Sequence, residues 1–359
     1  MEFAMLQYLS PVAAKLASFK SFAGVDLHKD TLTVCIIDPS TGEIRFQKLA
    51  CKCREQIATF FAGLPRPCVV AIESVGFYRW LWDLLEPIVD KLLLADAGGC
   101  RRLAGRRIKT DREDAFNVGD LLASGRLPIA YAPPAHVWEL RDWTRHRNYL
   151  SRCHARCLHR VKSLMNLNNR PGPGRMSADL LGRYLAGQGK LLPERHVRIL
   201  WQAHDQLSLI ERQSDESERE LIRLVAQPIF KNIFELLDTM PGVGLITAAT
   251  VLAEIGDFAR FPDRKAIIRY AGLNPRIFES ADKQRGGKLS KAGPPDVRWV
   301  LQQASWTAIR EDPAIRKLWA RIAKHAGDKA AAVAVARHLL MWMWSMTRHN
   351  QPFRRKQAA

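Results

Sequence analysis

Two carboxylates three residues apart, Asp111 and Asp114, are the residues best placed to do chemistry in this sequence. Thr110, with Glu113 three residues later, has the pattern of a capping box and predicts that a helix begins at Asp111. Positions i and i+3 share a helical face, so both carboxylates lie near the positive end of the helix. Such a pair repels unless a proton, a basic neighbour or a divalent cation compensates. The stretch also fits an ordinary solvated helix start with salt bridges.

Two more acids stand where apolar runs end in the first third of the chain. Asp26 follows the run at residues 22–25, and Glu73 follows the run at residues 68–72. Such runs, alternating with helical segments after a hairpin signature at residues 31–49, predict a mixed α/β sheet. Ligand sites in these sheets gather at the carboxyl ends of strands. Asp26 and Glu73 are therefore expected to meet the two helical acids at one edge.

Clustered carboxylates of this kind need a hard cation with oxygen ligands, and Mg²⁺ or Mn²⁺ is the natural choice. In a basic protein, two such ions could clamp the attacking and leaving oxygens of a phosphodiester. The candidate metal ligands and catalytic acids are the same residues: Asp26, Glu73, Asp111 and Asp114.

The overall charge favours a polyanionic partner. Lys and Arg outnumber Asp and Glu by 55 to 36 among 359 residues, for a net charge of +19, and this excess attracts nucleic acid. A membrane fits less well, because no apolar run is long enough to span a bilayer and residues 1–21, taken as a leader, make a poor signal peptide. The seven cysteines lack paired spacing, which indicates reduced thiols and a cytoplasmic protein.

The middle of the chain has the pattern of two long helices. A heptad-like track at residues 133–170 carries arginines with few acids between them, which favours a nucleic-acid-facing helix over a solvated face. Its candidate contacts are Arg141, Arg145, Arg152, Arg156 and Arg160. A second, more acidic track spans residues 200–224. The two tracks predict a coiled coil and leave open whether it forms within one chain or between two.

Two glycines, Gly242 and Gly244, separate helical segments in the last third of the chain. This is the form of a helix-hairpin-helix, whose glycines let backbone N–H groups approach a phosphate at the start of the second helix. The alternative is an ordinary glycine turn between core helices.

A glycine-rich basic segment at residues 269–293 is predicted to be a loop. Its positive charges surround two serines and indicate phosphate binding. They are Arg276, Lys283, Arg285, Lys288 and Lys291. A serine hydroxyl attacks a phosphate only when its proton is removed and the phosphate charge is neutralised. On residue types alone, with no histidine base nearby, phosphate binding is the better interpretation.

Three motifs in the first third of the chain resemble those of a known family in their order and spacing. They are Gly24-Val25-Asp26, Ile72-Glu73-Ser74-Val75-Gly76 and Lys109-Thr110-Asp111-Arg112-Glu113-Asp114-Ala115. They resemble the motifs of insertion-sequence DEDD transposases, the bridge-RNA-guided recombinases, which are related to Piv-type DNA invertases. Residues 272–293 are also similar to this family, with its Gly-Leu-x-Pro-Arg, Glu-Ser and Ser-Lys-x-Gly pattern.

The resemblance implies that Ser280, the serine after the glutamate of this pattern, is the nucleophile. Ser290 is the alternative, since this chain has Ala281 where the family usually has glycine. The four acids would bind divalent cations that orient the scissile phosphate, and serine attack would give a 5′-phosphoserine intermediate.

The resemblance also implies the domains and partners. It implies a leader at residues 1–21, a RuvC-like, RNase H-type α/β nuclease domain at 22–135, a helical coiled-coil region at 136–230 and a mainly helical transposase domain at 231–359, with the helix-hairpin-helix and the serine loop. The expected partners are donor and target DNA, a non-coding bridge RNA and further copies of the chain, as a dimer that pairs into a tetramer. The expected location is the bacterial cytoplasm, in association with the nucleoid.

Three other functions stay open at this point. The first is a Piv-like site-specific invertase. The second is a RuvC-like nuclease in which metal-activated water attacks and Ser280 only binds phosphate. The third is a non-catalytic architectural nucleic-acid-binding protein, which the presence of all four acids disfavours.

Overall fold

The computed structural model describes residues 18–104, 110–170, 172, 176–280 and 283–354. The chain divides into two compact units, residues 1–132 and 133–359. Residues 1–17 of the predicted leader lie outside the described residues, as do Lys109 of the acidic motif and Ala281. In the part of the chain that is described, no helix is long and apolar enough to cross a membrane.

The first unit contains a mixed sheet of five strands with helices, as the sequence predicts. The strands are β1 (Ser21–Leu27), β2 (Thr31–Ile37), β3 (Ile44–Ala50), β4 (Cys68–Glu73) and β5 (Lys91–Ala95), in the order β3-β2-β1-β4-β5. The first three strands pair antiparallel, and β1, β4 and β5 pair parallel. The helices are α1 (Arg54–Ala62), α2 (Arg79–Leu85), α3 (Ala97–Ala104) and α4 (Asp111–Ala123).

The burial of each strand follows from its place in this sheet. All seven residues of the central strand β1 are buried, because strands pair with both of its edges and α4 packs on it. A strand in this position requires a nearly continuous apolar run. The edge strand β3 is largely exposed and carries Arg45 and Lys48. Charges of this kind on an edge disfavour pairing with the strands of other chains.

The second unit is helical in its described residues apart from one β-hairpin, β6 (Pro275–Ser280) and β7 (Lys283–Leu289). Its first helices are α5 (Ala135–Leu167), α6 (Ala178–Gln188), α7 (Glu194–Val225) and α8 (Pro228–Asp238). They are followed by α9 (Leu245–Ile255), α10 (Arg264–Ala271), α11 (Pro295–Glu311), α12 (Pro313–Ala326) and α13 (Asp328–His349). Two 3₁₀ turns, Gly189–Leu191 and Phe258–Arg260, lie between them.

The two long helices α5 and α7 form an antiparallel pair within one chain. Leu140, near the start of α5, shares a buried cluster with Leu224, near the end of α7. Met165, near the end of α5, shares another with Leu200, near the start of α7. The heptad tracks therefore pair with each other inside the chain.

A buried ion pair joins α5 to α9. Glu254, which is 2% exposed, accepts hydrogen bonds from Arg145, with Nε to Oε1 at 2.7 Å and Nη2 to Oε2 at 3.2 Å. The guanidinium of Arg141 lies 3.6 Å from the same carboxylate and donates two hydrogen bonds to the carbonyl oxygen of Ala253. A buried charge without partners is strongly destabilising, so these contacts are needed for the fold.

The segment predicted as a continuous loop contains the β-hairpin instead. Strands β6 and β7 pair antiparallel, from Pro275 opposite Leu289 to Ser280 opposite Lys283. Gly286 lies within β7, opposite Ile277. The loop prediction is wrong because glycine weakens a strand without excluding it from a two-stranded ribbon.

We expect Glu254→Ala to lower the free energy of unfolding by about 3–5 kcal/mol, because it leaves the Arg141 guanidinium buried without its carboxylate. The matched control is Glu218→Gln, which breaks the partly exposed pair between Glu218 and Arg147 and should change stability by less than about 1 kcal/mol. Urea unfolding followed by tryptophan fluorescence measures both variants. Equal effects of the two substitutions would contradict the structural role of Glu254.

Candidate functional site

Direct backbone contact between β1 and α4 fixes the position of the site. A Cβ atom added to Gly24 of β1 would lie 2.2 Å from the backbone nitrogen of Gly119 and 2.5 Å from the carbonyl oxygen of Ala115. Only glycine permits this approach of two backbones. The helix therefore lies on the strand with no side chain between them at this point.

The regular spacing of residues along the strand and along the helix then brings the functional residues together. Alternate residues of a strand share a face and stand about 6.6 Å apart, and residues four apart on a helix stand about 6 Å apart. Asp26 and His28 continue the face of Gly24, while Asp111 lies one turn before Ala115. The three side chains meet where β1 ends and α4 begins.

The start of α4 is held by the predicted N-cap. Thr110 has extended backbone, and its Oγ1 accepts a hydrogen bond from the N–H of Glu113 at 3.2 Å. Asp111 and Asp114 both lie in the first turn of α4, near the positive end of the helix dipole. The helix start predicted from the capping residues is confirmed.

His28 lies between two of the acids. Its Nε2 is 3.0 Å from Oδ2 of Asp26 and 3.3 Å from Oδ1 of Asp111. One ligand atom from each of these three residues lies within 4.8 Å of the others. Lys48 of β3 adds a cation, since its Nζ donates a hydrogen bond to Oδ2 of Asp111 at 3.0 Å. The site therefore sets two basic side chains against two carboxylates.

Asp26 is the least favourably placed carboxylate of the site. It is 3% exposed, and its Oδ2 has no hydrogen-bond partner among the described residues. Burial raises the pKa of Asp26 from 3.8 to about 6. Nearby His28 opposes this shift in pKa, whereas repulsion from the other three predicted acids adds to it. In contrast, a hydrogen bond from Lys48 lowers the pKa of the partly exposed Asp111.

Glu73 and Asp114 lie around this group rather than in it. Both are close enough to Asp26 to raise its pKa by repulsion, but neither has a ligand atom in the group within 4.8 Å. Glu73 follows Ile72, which pairs with Val25, so it ends β4 beside Asp26 on the same sheet edge. Two of the four predicted acids thus contact His28, and the other two surround them.

Sequence reasoning missed His28 and Lys48. His28 comes two residues after Asp26, so the alternation of side chains along a strand was an available signal that both share a face. Lys48 pairs with Thr33 across β2 and β3, and Thr33 pairs with Asp26 across β1 and β2. Its proximity depends on the register of three strands, which spacing along the chain does not reveal.

The donor set fits a divalent cation. Carboxylate oxygens suit Mg²⁺ and Mn²⁺, and imidazole nitrogen suits transition metals. The buried Oδ2 of Asp26 offers a lone pair that no hydrogen bond uses in the described residues. Asp26, His28 and Asp111 therefore form a candidate metal-binding cluster.

The predicted serine nucleophile is the last residue of β6. Ser280 pairs with Lys283 of β7. The following side chains lie outside the described part of the structure: Arg276, Ser280, Lys283, Arg285 and Lys288. Lys291 is exposed, with a left-handed φ of 53°. The hydroxyl of Ser290, the alternative nucleophile, donates a hydrogen bond to Oδ1 of Asn274 at 2.6 Å.

Arg141 does not face a nucleic acid. It is 6% exposed, and its guanidinium donates to the carbonyl oxygen of Ala253. Its assignment to nucleic-acid contact is wrong, because the face of α5 that carries it packs against α9 and buries the charge. The number of charges on the helix does not indicate which of its arginines become buried when it packs.

The other predicted arginines of α5 divide into paired and exposed ones. Arg145 binds the buried carboxylate described above, and Arg152 forms an ion pair with Asp296 at 2.7 Å. Arg156 and Arg160 are exposed. These two retain the surface placement that nucleic-acid contact requires.

The two glycines of the predicted helix-hairpin-helix turn have different surroundings in the structure. The N–H of Gly242 donates to Oε2 of Glu311 at 3.1 Å, so a carboxylate occupies the place predicted for a phosphate. Gly244 is exposed and caps the start of α9. At Gly242 the structure supports the alternative, a turn between core helices.

Comparison with known proteins adds the family. One transposase family model matches residues 23–168, and a model of the IS116/IS110/IS902 transposase family matches residues 234–320. The chain is 28% identical to y4qE of Sinorhizobium fredii, a protein named as a transposase, over 367 residues, 92% of this chain and 89% of the relative. It is 22% identical to the transposase for insertion sequence element IS1111A of Coxiella burnetii over 338 residues, 92% and 90% of the two chains.

A shorter similarity links the chain to a protein with a different name. It is 31% identical to the pilin gene-inverting protein of Moraxella bovis over 121 residues, 33% of this chain and 38% of the relative.

The cluster of Asp26, His28 and Asp111 lies on a mixed α/β sheet, and a basic helical unit follows it in the chain. Together with the two transposase family matches, these features define the class of protein as a DNA-cleaving and rejoining enzyme. The chain belongs to the IS110/IS116 family of insertion-sequence transposases.

In metal-free protein, we expect Asp26→Asn to raise stability at pH 8 and to have little effect near pH 4. The folded-state pKa of Asp26, about 6, exceeds its ordinary value of 3.8. The stability that the bound proton contributes is therefore fully present below pH 4 and is lost as the pH rises through 6. Asparagine at this position stays neutral at every pH, so it retains that stability at pH 8. The gain at pH 8 is about 3 kcal/mol, measured by urea unfolding with a chelator.

The matched control for this pH dependence is Asp90→Asn. Hydrogen bonds from the Cys68 N–H and from Arg66 lower the pKa of Asp90, so this substitution should reduce stability at neutral pH and lose its effect as the pH falls. A pH-independent effect of Asp26→Asn would mean that the Asp26 carboxylate is not raised in pKa.

We expect Gly24→Ala to destabilise the protein by about 1–3 kcal/mol, because the added methyl group forces α4 away from β1. The same displacement would separate Asp111 from Asp26 and weaken divalent-cation binding. Gly76→Ala is the matched control, since a Cβ there meets no atom within 4 Å. Thermal unfolding with and without Mn²⁺ measures both variants, and a Gly24→Ala protein as stable as Gly76→Ala would contradict the close packing.

Proposed function

We propose that this transposase cuts and rejoins the DNA of an insertion sequence by metal-assisted serine attack on a phosphodiester. The observation that supports the metal-assisted part best is the meeting of Asp26, His28 and Asp111 at the end of β1. The strand order β3-β2-β1-β4-β5 is consistent with a RuvC-like domain, in which acids of this kind act on phosphates.

The acids and the serine have separate roles in this proposal. Asp26, Glu73, Asp111 and Asp114 hold divalent cations, Mg²⁺ or Mn²⁺, which when bound neutralise the charge that develops on the scissile phosphate. Oγ of Ser280 loses its proton and forms a bond to phosphorus, while the bond from phosphorus to the 3′ oxygen breaks and that oxygen takes a proton. One ester replaces another, so the reverse attack by a different 3′ hydroxyl can rejoin the DNA.

Two observations support Ser280 over Ser290. Ser280 ends β6 opposite Lys283, at the end of the ribbon away from the Pro275–Leu289 pair at its base. The Ser290 hydroxyl is hydrogen-bonded to Asn274 at the base of the hairpin. The basic residues around the hairpin, Lys291 among them, would neutralise the phosphate under attack.

The proposal includes partners of three kinds. Donor and target DNA are the substrates, and a non-coding bridge RNA selects them by base pairing. The exposed Arg156 and Arg160 of α5 and the net charge of +19 support contact with nucleic-acid backbones. The active assembly is a homo-oligomer, a dimer that pairs into a tetramer, on the bacterial nucleoid in the cytoplasm.

A second candidate function is site-specific DNA inversion. The similarity of 121 residues to the pilin gene-inverting protein of Moraxella bovis favours it. Inversion uses the same cutting and rejoining chemistry on two sites of one molecule, so the residues keep the roles given above. Products with inverted rather than transposed sequence distinguish the two functions.

We expect the wild-type protein to form a covalent adduct with labelled DNA that carries the element's junction. The reaction contains Mg²⁺ or Mn²⁺ and RNA co-expressed from the element, and a denaturing gel detects the adduct by its protease sensitivity. Ser280→Ala should abolish the adduct because it removes the nucleophile, and Asp111→Ala should reduce it at least a hundredfold because it removes a metal ligand. Ser290→Ala, the matched control, should keep it.

Other patterns on the same gel would overturn parts of this proposal. An adduct that persists in Ser280→Ala and vanishes in Ser290→Ala would assign the attack to Ser290. Free nicked DNA that persists in Ser280→Ala without any adduct would identify a nuclease that uses water. Binding without cleavage under all conditions would favour an architectural protein.

A further inference from the structure

We infer that His28 is a direct metal ligand of this transposase, so that the centre is a mixed imidazole and carboxylate site rather than one with oxygen ligands alone. The inference rests on the metal-dependent function proposed above. It adds to the four acids a residue that the DEDD motif does not contain, and it predicts which cations the site prefers.

The distances within the cluster match the edges of a coordination polyhedron. Two ligand atoms about 2.1 Å from one ion and at right angles to each other are about 3.0 Å apart. Nε2 of His28 lies 3.0 Å from Oδ2 of Asp26 and 3.3 Å from Oδ1 of Asp111. All three atoms can therefore reach one ion with small side-chain adjustments.

The buried oxygen of Asp26 gives an independent reason to expect a ligand here. Oδ2 is buried without a hydrogen-bond partner in the described residues, although Nε2 of His28 lies 3.0 Å away. The imidazole is thus close to this oxygen but not in line to donate a hydrogen bond to it. Buried acceptors without a donor are uncommon, and a cation between oxygen and nitrogen would satisfy both.

Asp111 divides its two oxygens between different partners. Oδ2 accepts the hydrogen bond from Lys48, and Oδ1 faces His28. Lys48 therefore places a positive charge beside the partly exposed Asp111 carboxylate, while Oδ1 stays directed at the cluster. His28 is about half exposed, which leaves the outer side of the cluster open to a phosphate oxygen or to water.

A nitrogen ligand changes the preference of the site. Mg²⁺ takes oxygen ligands almost exclusively, whereas transition metals accept imidazole readily. A centre that contains His28 should therefore bind Mn²⁺ more tightly than Mg²⁺. Loss of the imidazole should reduce the affinity for Mn²⁺ much more than the affinity for Mg²⁺.

The competing explanation is that His28 is only a charge partner of the two carboxylates. The two explanations predict opposite signs. Removal of a ligand weakens cation binding, whereas removal of a positive charge strengthens it. Lys48→Met provides the matched control for charge, because it removes a cation that contacts the same Asp111 carboxylate.

The test is calorimetric titration of the full-length, metal-free protein with MnCl₂ and separately with MgCl₂. We expect His28→Ala to weaken Mn²⁺ binding at least tenfold, with a smaller change for Mg²⁺, and Lys48→Met to bind Mn²⁺ as tightly as wild type or more tightly. Electron spin echo modulation of bound Mn²⁺ should show a coordinated nitrogen in wild type that is absent in His28→Ala. His28→Gln repeats the test with a polar side chain in place.

Equal or tighter Mn²⁺ binding in His28→Ala and His28→Gln, or no nitrogen coupling in wild type, would overturn the inference. Asp26→Asn separates this failure from failure of the proposed function. If Asp26→Asn abolishes Mn²⁺ binding and His28→Ala does not, only the role of His28 is wrong. If Asp26→Asn leaves Mn²⁺ binding intact, the acidic cluster is not the metal site and the metal-assisted function fails as well.

Discussion

The contact between the backbones of β1 and α4 is the constraint on which the candidate site depends. Gly24 lets Gly119 and Ala115 approach β1 to a distance that a Cβ would block. Two residues of a strand and four residues of a helix cover similar distances. The contact at Gly24 and Ala115 therefore places Asp26, two residues along β1, beside Asp111, four residues back along α4. The N-cap at Thr110 starts α4 at Asp111, beside the end of β1. Backbone packing between β1 and α4 thus determines where the Asp26 and Asp111 carboxylates lie.

Two of the buried carboxylates in the described residues, Glu254 and Asp26, have opposite surroundings. Glu254 in the second unit receives hydrogen bonds from Arg145 and lies beside Arg141, so its charge is compensated inside the fold. Asp26 in the first unit keeps an oxygen without a hydrogen bond, and burial raises its pKa to about 6. Removal of either partner of such a paired acid destabilises the fold, because it leaves the other charge buried alone. An acid with an unpaired buried oxygen, such as Asp26, can accept a cation as its partner. Carboxyl groups whose pKa is strongly shifted are common at functional sites.

Local signals in the sequence predicted much of the site, and non-local packing decided the rest. The helix start at Asp111 followed from capping residues within four positions, and the strand ends at Asp26 and Glu73 followed from apolar runs. Lys48 was missed because three strands must align before it reaches Asp111. Arg141 was misassigned because its burial depends on which face of α5 packs against α9, and Gly242 because its N–H partner, Glu311, lies in a distant helix.

The hairpin that carries Ser280 is fixed to the rest of the second unit at its base. A Cβ on Gly293 would lie 1.7 Å from the carbonyl oxygen of Tyr270, so the chain after β7 lies directly on the end of α10. Arg298 donates to the carbonyl oxygens of Ala271 and Gly293 and closes this contact from the other side. The base is therefore packed and hydrogen-bonded, while Ser280 stands at the opposite end of β6. The attack proposed for Ser280 needs a defined position of the serine relative to the DNA phosphate, and a short ribbon fixed at its base supports such a position.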